Sequence, residues 1–171
     1  GSTNITGNII TNSAYGIRAI SSSNTIIEAN TINQTSYAVH LTAASTGNVI
    51  RSNMISGQSA GIYSSSDSTT ILRNAVTGGA YGIYLYNNRN CIVNYTTVKG
   101  SSTGIRLYWT SASTSSHNVN NNKVEDADWA IELTYANGNT FTGNWIKQST
   151  YGMYMTSASA NTIYHNNFIN N

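Results

Sequence analysis

Asn139-Thr140-Phe141-Thr142-Gly143-Asn144-Trp145-Ile146, then Gly152-Met153-Tyr154-Met155, then Asn161-Thr162-Ile163-Tyr164-His165-Asn166-Asn167-Phe168: in this stretch the third segment restates the first after 22 residues. Followed back through the chain, the same unit recurs to the start. The apolar residue closing each first segment falls at Ile10, Ile32, Ile55, Val76, Val98, Val124, Ile146 and Phe168, with steps of 22, 23, 21, 22, 26, 22 and 22. Two residues earlier stands Asn8, Asn30, Asn53, Asn74, Thr96, Asn122, Asn144 or Asn166, and three residues before that Ile5, Ile27, Ile50, Ile71, Val93, Val119, Phe141 or Ile163. Six residues after the first column comes a small residue and an apolar one: Gly16-Ile17, Ala38-Val39, Gly61-Ile62, Gly82-Ile83, Gly104-Ile105, Ala130-Ile131 and Gly152-Met153. A period in this range is the signature of a solenoid.

The segment after each small residue alternates with period two, as in Ile83-Tyr84-Leu85 and Ile131-Glu132-Leu133, which predicts strand. Asn, Ser, Thr, Ile and Val dominate and there is no proline, a composition that disfavours helix and suits an uninterrupted hydrogen-bond ladder. A leucine-rich repeat has a similar period but needs leucine at several fixed positions and a helical return limb, both missing here. The pattern predicts an all-β fold, a right-handed, single-stranded parallel β-helix of about seven and a half coils. With successive coils about 4.8 Å apart the rod is roughly 35 Å long. The asparagine column reads as a corner ladder, its amides bonded to the turn and to the next coil, with the asparagine itself in the left-handed region.

Composition removes several function classes. The 171 residues make one β-helix domain, read as a segment of a longer chain. Eight Lys and Arg against six Asp and Glu leave a net charge of +2, spread without a run, so neither nucleic acid nor a membrane surface is an expected partner, and no apolar stretch is long enough to insert in a bilayer. The single cysteine, Cys91, reads as a small buried residue. His40, His117 and His165 occupy different columns and the methionines are scattered, so no metal site and no cofactor is expected.

The repeat resembles those of the NosD-type and carbohydrate-binding-and-sugar-hydrolase families, on the residues quoted at the outset, and the resemblance covers essentially the whole chain. It implies a right-handed β-helix and an extracellular or cell-surface location, with the periplasm as the alternative. It is specific for fold and weak for function, since such scaffolds host lyases, hydrolases, epimerases, adhesins and accessory proteins. The copper association of the NosD name does not carry over, because the ligands for it do not converge.

Chemistry is expected on the outward columns of the strand after the small residue. These read Arg18, His40, Tyr63, Tyr84, Arg106, Glu132, Tyr154, and two residues on Ile20, Thr42, Ser65, Tyr86, Tyr108, Thr134, Thr156. Tyr63, Tyr84, Tyr86, Arg106 and Tyr108 form a sugar-facing platform in this reading, because a tyrosine ring offers an apolar face to pyranose C–H groups and a hydroxyl to the sugar edge. The step of 26 marks an insertion after Tyr108, whose Trp109 is expected to wall one side of a groove. A separate aromatic column ahead of the small residue, Tyr15, Tyr37, Tyr81, Trp129 and Tyr151, reads as a structural corner stack. Four of the six acids fall in the sixth coil, and Glu132, Asp128 and Asp126 are the candidates for catalysis; one outward carboxylate beside Arg106 predicts an ion pair rather than an acid pair. The expectation is a non-catalytic scaffold or adhesin-like protein that binds a polysaccharide or surface glycan. Alternatives are a fragment of a polysaccharide lyase or hydrolase, or a purely structural rod; repeat ends without caps also predict end-to-end self-association.

Overall fold

The computed structural model describes residues 2–171, which coil into a right-handed parallel β-helix with three limbs per turn. The first limb is a three-residue strand in every coil, Asn4–Thr6, Ile26–Glu28, Val49–Arg51, Thr70–Leu72, Ile92–Asn94, Asn118–Asn120, Thr140–Thr142 and Thr162–Tyr164, stacked in that order as an eight-stranded sheet. The second and third limbs share a twelve-stranded sheet. In the first three coils they run together as Ile9–Ala19, Thr31–Leu41 and Met54–Ser64; from the fourth coil they part, as in Ala75–Thr77 and Tyr81–Tyr86.

Register keeps every column of the repeat continuous. Ile71 pairs with Ile50 and Val93, Val98 with Val76 and Val124, and Ile105 with Ile83 and Ile131, all in parallel. Each interior coil thus supplies four inward residues, such as Ile71, Val76, Ile83 and Leu85, which are at most 1% exposed. A side chain of this size contributes about 1.5–3 kcal/mol on burial. In the eighth coil Ile163 and Phe168, which occupy the same columns, are 38% and 45% exposed.

The asparagine ladder forms as expected in its amides but not in its backbone. Where two asparagines follow one another in the column, Oδ1 of the later accepts from both the backbone N–H and the Nδ2–H of the earlier, as from Asn30 to Asn53 at 2.9 and 3.1 Å and from Asn122 to Asn144 at 3.0 and 3.0 Å. The left-handed residue is the one just before: Gly7, Ala29, Ser52, Arg73, Tyr95, Asn121, Gly143 and His165 have φ between 50° and 70°. That conformation costs non-glycine residues about 1–2 kcal/mol each, and the buried amide bonds that follow it offset the cost.

A second ladder runs along the corner before the first limb. Its occupants are Thr25, Asn48, Thr69, Cys91, His117, Asn139 and Asn161, each again preceded by a left-handed residue such as Asn24, Gly47 or Asn90. Thr25 N–H donates to Asn48 Oδ1 at 2.9 Å, Cys91 N–H to His117 Nδ1 at 3.1 Å, and His117 N–H to Asn139 Oδ1 at 2.8 Å. Cys91 is fully buried as expected, and burial pushes its thiol up to about 12.

Candidate functional site

The third-limb face is built by a bend at the small-residue column. Gly82 and Ile83 are both buried, so the in-out alternation slips by one residue there and Tyr81 emerges on the same side as Tyr84. The bend is tight. A Cβ on Gly104 would run into Val124 Cγ1 and lie 2.6 Å from the Ala130 carbonyl oxygen. The column ahead of the small residues stacks within itself at both ends, Tyr15 on Tyr37 and Trp129 on Tyr151, and because of this bend its first three rings also join the platform: the Tyr81 ring lies 4.8 Å from Tyr84, and Tyr37 lies 5.3 Å from His40 and 6.1 Å from Tyr63.

Five coils of rings become one array. It begins with Tyr15 stacked on Tyr37 at 5.5 Å, passes through His40 stacked on Tyr63 at 4.8 Å, and reaches Tyr84 and Tyr86 at 5.3 and 6.1 Å from Tyr63. Tyr86 and Tyr108 close it as a parallel pair, 5.7 Å apart and 6° between planes. Tyr63, Tyr84, Tyr86 and Tyr108 are all half-buried, so each keeps an accessible ring surface. Desolvation by burial raises the Tyr63 and Tyr84 phenols above the ordinary tyrosine value, and for Tyr84 the nearby Arg106 works against the rise. Burial, and secondarily Arg18, lowers the pKa of His40, so at neutral pH it acts as an uncharged ring of the array.

Arg106 is held at the centre. Its guanidinium sits 5.2, 5.2 and 4.9 Å from the ring centroids of Tyr81, Tyr84 and Tyr108, and Nη1 donates to the Tyr81 hydroxyl at 2.8 Å. Nε lies 3.2 Å from Glu132 Oε2, but its N–H does not point along that contact, which is an ion pair without a well-aligned hydrogen bond. The side chains are only 18% and 14% exposed, so the two charges neutralise each other within the face. Asp126 occupies a left-handed corner, φ 55°, and faces Lys99 at 3.4 Å. Asp128 lies on the turn into Trp129–Asn137, where its N–H donates to the Ser102 carbonyl. The structure therefore brings Glu132 to the platform and leaves Asp126 and Asp128 on the turn.

The insertion is a bulge in the strand Thr103–Thr114, where pairing with Trp129–Asn137 jumps between Tyr108 and Ser113. Asn87 ties it to the fourth coil by accepting from Thr110 N–H at 2.9 Å. Trp109 is half-buried and packs against the core, with the Arg89 guanidinium 5.0 Å from its ring. It buttresses the bulge at the platform's edge. Below, an open cleft of about 370 Å³ is lined by Ala43, Ala44, Ser45, Thr46, Ser65, Asp67 and Asn87. It adjoins the platform through Ser65, which stands next to Tyr86 in the outward column. Sequence reasoning missed this cleft, and missed Tyr15, Tyr37 and Tyr81 as platform residues.

A family model described as periplasmic copper-binding protein (NosD) matches residues 1–80 and again residues 49–171. The chain belongs to the NosD family. The overlap of the two matches fits a repeat fold that the NosD model meets in two registers. No curated protein sequence matches the chain. Similar solved structures include a complex of XylC with xylose (18% identity, TM-score 0.65, covering 77% of this chain and 22% of that one). Others are an alginate lyase from Paenibacillus sp. str. FPU-7 (15%, 0.61, 98% and 72%) and a T265N mutant of the periplasmic alginate epimerase AlgG (18%, 0.63, 95% and 50%). At these identities the likeness is one of fold, and the chain spans about a fifth of the first structure and half of the last.

The copper in the NosD description does not fit the residues present. Cys91 and His117 are neighbours, but the imidazole Nδ1 already accepts the Cys91 N–H and burial keeps the thiol protonated. His40 sits among Tyr15, Tyr37 and Tyr63, while His165 packs against Tyr164. Among the described residues no three His, Cys, Asp or Glu side chains converge.

Proposed function

We propose that the chain is an exported NosD-family β-helix that binds glycan on its third-limb tyrosine face and performs no chemistry on it. The observation that carries this reading is the parallel, half-exposed pair Tyr86 and Tyr108, continued by Tyr63 and Tyr84 across successive coils. Rings fixed by strand register present apolar surface at little entropic cost, and the phenol hydroxyls supply polar contacts. Coil spacing of about 4.8 Å is close to the repeat of a sugar residue along an extended polysaccharide, so several rings can engage one chain. Export is supported by the periplasmic description of the family. No helix among the described residues is long and apolar enough to cross a membrane.

The enzymatic neighbours act on alginate, and that chemistry needs a base free to take a proton from the sugar. Here Glu132, the carboxylate in the outward columns, is engaged by Arg106, which argues for binding without turnover. A glycan array, followed by assays for reducing ends and unsaturated uronates on each bound polymer, tests the reading. Binding without either product is expected; release of either product, or no polysaccharide bound, overturns it.

A further inference from the structure

We infer that the cleft beside the tyrosine platform is a subsite for uncharged sugars, and that it excludes uronates. This rests on the platform reading and specifies its substrate class. The cleft volume of about 370 Å³ falls in the range of small-ligand sites, roughly 300–1,000 Å³. Its polar lining is the carboxylate of Asp67 and the hydroxyls of Thr46 and Ser65, backed by Asn87, whose amide is bonded to Thr110, and Ser45, whose Oγ accepts the Ser22 N–H. Its charge is of one sign. Asp67 pairs with no Lys, Arg or His among the described residues. Oδ1 accepts the Arg89 backbone N–H at 2.8 Å, which fixes the side chain, and Oδ2 has no protein partner, leaving it to accept from a sugar hydroxyl.

The cations that a uronate polymer would seek on this face are committed elsewhere. Arg106 is neutralised by Glu132 and enclosed by Tyr81, Tyr84 and Tyr108. Arg89 turns its guanidinium onto the Trp109 ring, 5.0 Å away, and Arg18 lies at the far end of the array over Tyr15 at 4.7 Å. The cleft's own lining carries no cation, so a carboxylate brought into it meets the Asp67 carboxylate first. An uncharged sugar meets a carboxylate that polarises its hydroxyls, in a charge-assisted hydrogen bond.

Calorimetric titration of the whole chain with xylan, a mixed-linkage β-glucan, alginate, polygalacturonate and the methyl ester of that same polygalacturonate tests this. The last two differ in charge and not in backbone. The expected result is binding of at least one uncharged polymer, with alginate and polygalacturonate on the order of tenfold or more weaker, a gap that narrows at high salt. Asp67→Asn, which keeps the Oδ1 acceptor for Arg89, reduces the ratio of uncharged to acidic binding severalfold. Tyr86→Ala weakens every polymer alike. Alginate or polygalacturonate bound as tightly as the best uncharged polymer, or a ratio unmoved by Asp67→Asn, overturns the selectivity and leaves the platform standing. Binding of no polymer overturns the platform reading, and this inference with it.

Discussion

Asn74 Oδ1 accepts two hydrogen bonds from Asn53, one from its backbone N–H and one from its side-chain amide, each 3.0 Å long. Both residues are almost fully buried, so this oxygen satisfies two donors that water cannot reach. One coil on, the relay weakens. Asn74 N–H reaches Thr96 Oγ1 at 3.3 Å, and threonine has no amide to continue the chain of bonds.

Thr96→Asn should therefore complete the ladder. The new Oδ1 takes both Asn74 donors, and the new Nδ2–H reaches the Ile71 carbonyl, as Asn74 reaches that of Ile50 and Asn122 that of Val93. A gain of about 0.5–2 kcal/mol in urea unfolding is expected. Asn122→Ala should cost about 1–3 kcal/mol, by stranding the Thr96 N–H that its Oδ1 now accepts.

His117 sets an acid limit. Burial, opposed by a hydrogen bond to the Asn88 backbone, lowers its pKa from 6.5 to about 4. The imidazole is 1% exposed and accepts the Cys91 N–H at Nδ1, so the folded chain holds the neutral ring. A depressed pKa in the folded state means stability that is complete above pH 6.5 and is lost as the pH falls toward 4. The loss amounts to a few kcal/mol at most. His117→Asn, which places the residue of positions 48, 139 and 161 in this column, should flatten thermal midpoints over that window. An unchanged pH dependence in His117→Asn would remove His117 as its source.

The contact between Gly104 and Val124 gives a packing test. Gly104→Ala should destabilise by about 1–3 kcal/mol, the usual range for overpacking, since its Cβ meets Val124 Cγ1 and the Ala130 carbonyl. Adding Val124→Ala should recover part of that loss, so a double-mutant cycle shows coupling rather than additivity. Additive losses would mean that the carbonyl, and not the valine, sets the limit.

The β-helix was legible in the sequence because its four inward columns are apolar in nearly every coil, Ser64 being a polar occupant in the third, and a period near 22 with Ile, Val and Leu in step leaves few other folds. The second ladder was not, because its corner accepts any small group or ring that offers a hydrogen-bond acceptor, and Thr25, Cys91 and His117 hide the column formed by Asn48, Asn139 and Asn161. The left-handed corner residues escaped for a related reason: Arg73, Tyr95 and His165 are not turn formers, and it is the ladder residue after each, Asn74, Thr96 or Asn166, that holds them. Tyr63, Tyr84, Tyr86 and Tyr108 follow from strand alternation. Tyr81 does not, since the bend at Gly82 moves it to their side. The cleft at Asp67 arises from the course of the loops, which no column encodes.

Calorimetric titration of the Tyr86→Ala, Tyr108→Ala double variant against the polysaccharide that binds the native chain best tests the central claim, that the parallel ring pair is the glycan platform. The rings are half-buried and no core column contains them, so the thermal midpoint should fall by no more than a few degrees. Affinity should fall by about tenfold or more. A variant that keeps its fold and its affinity would contradict the account.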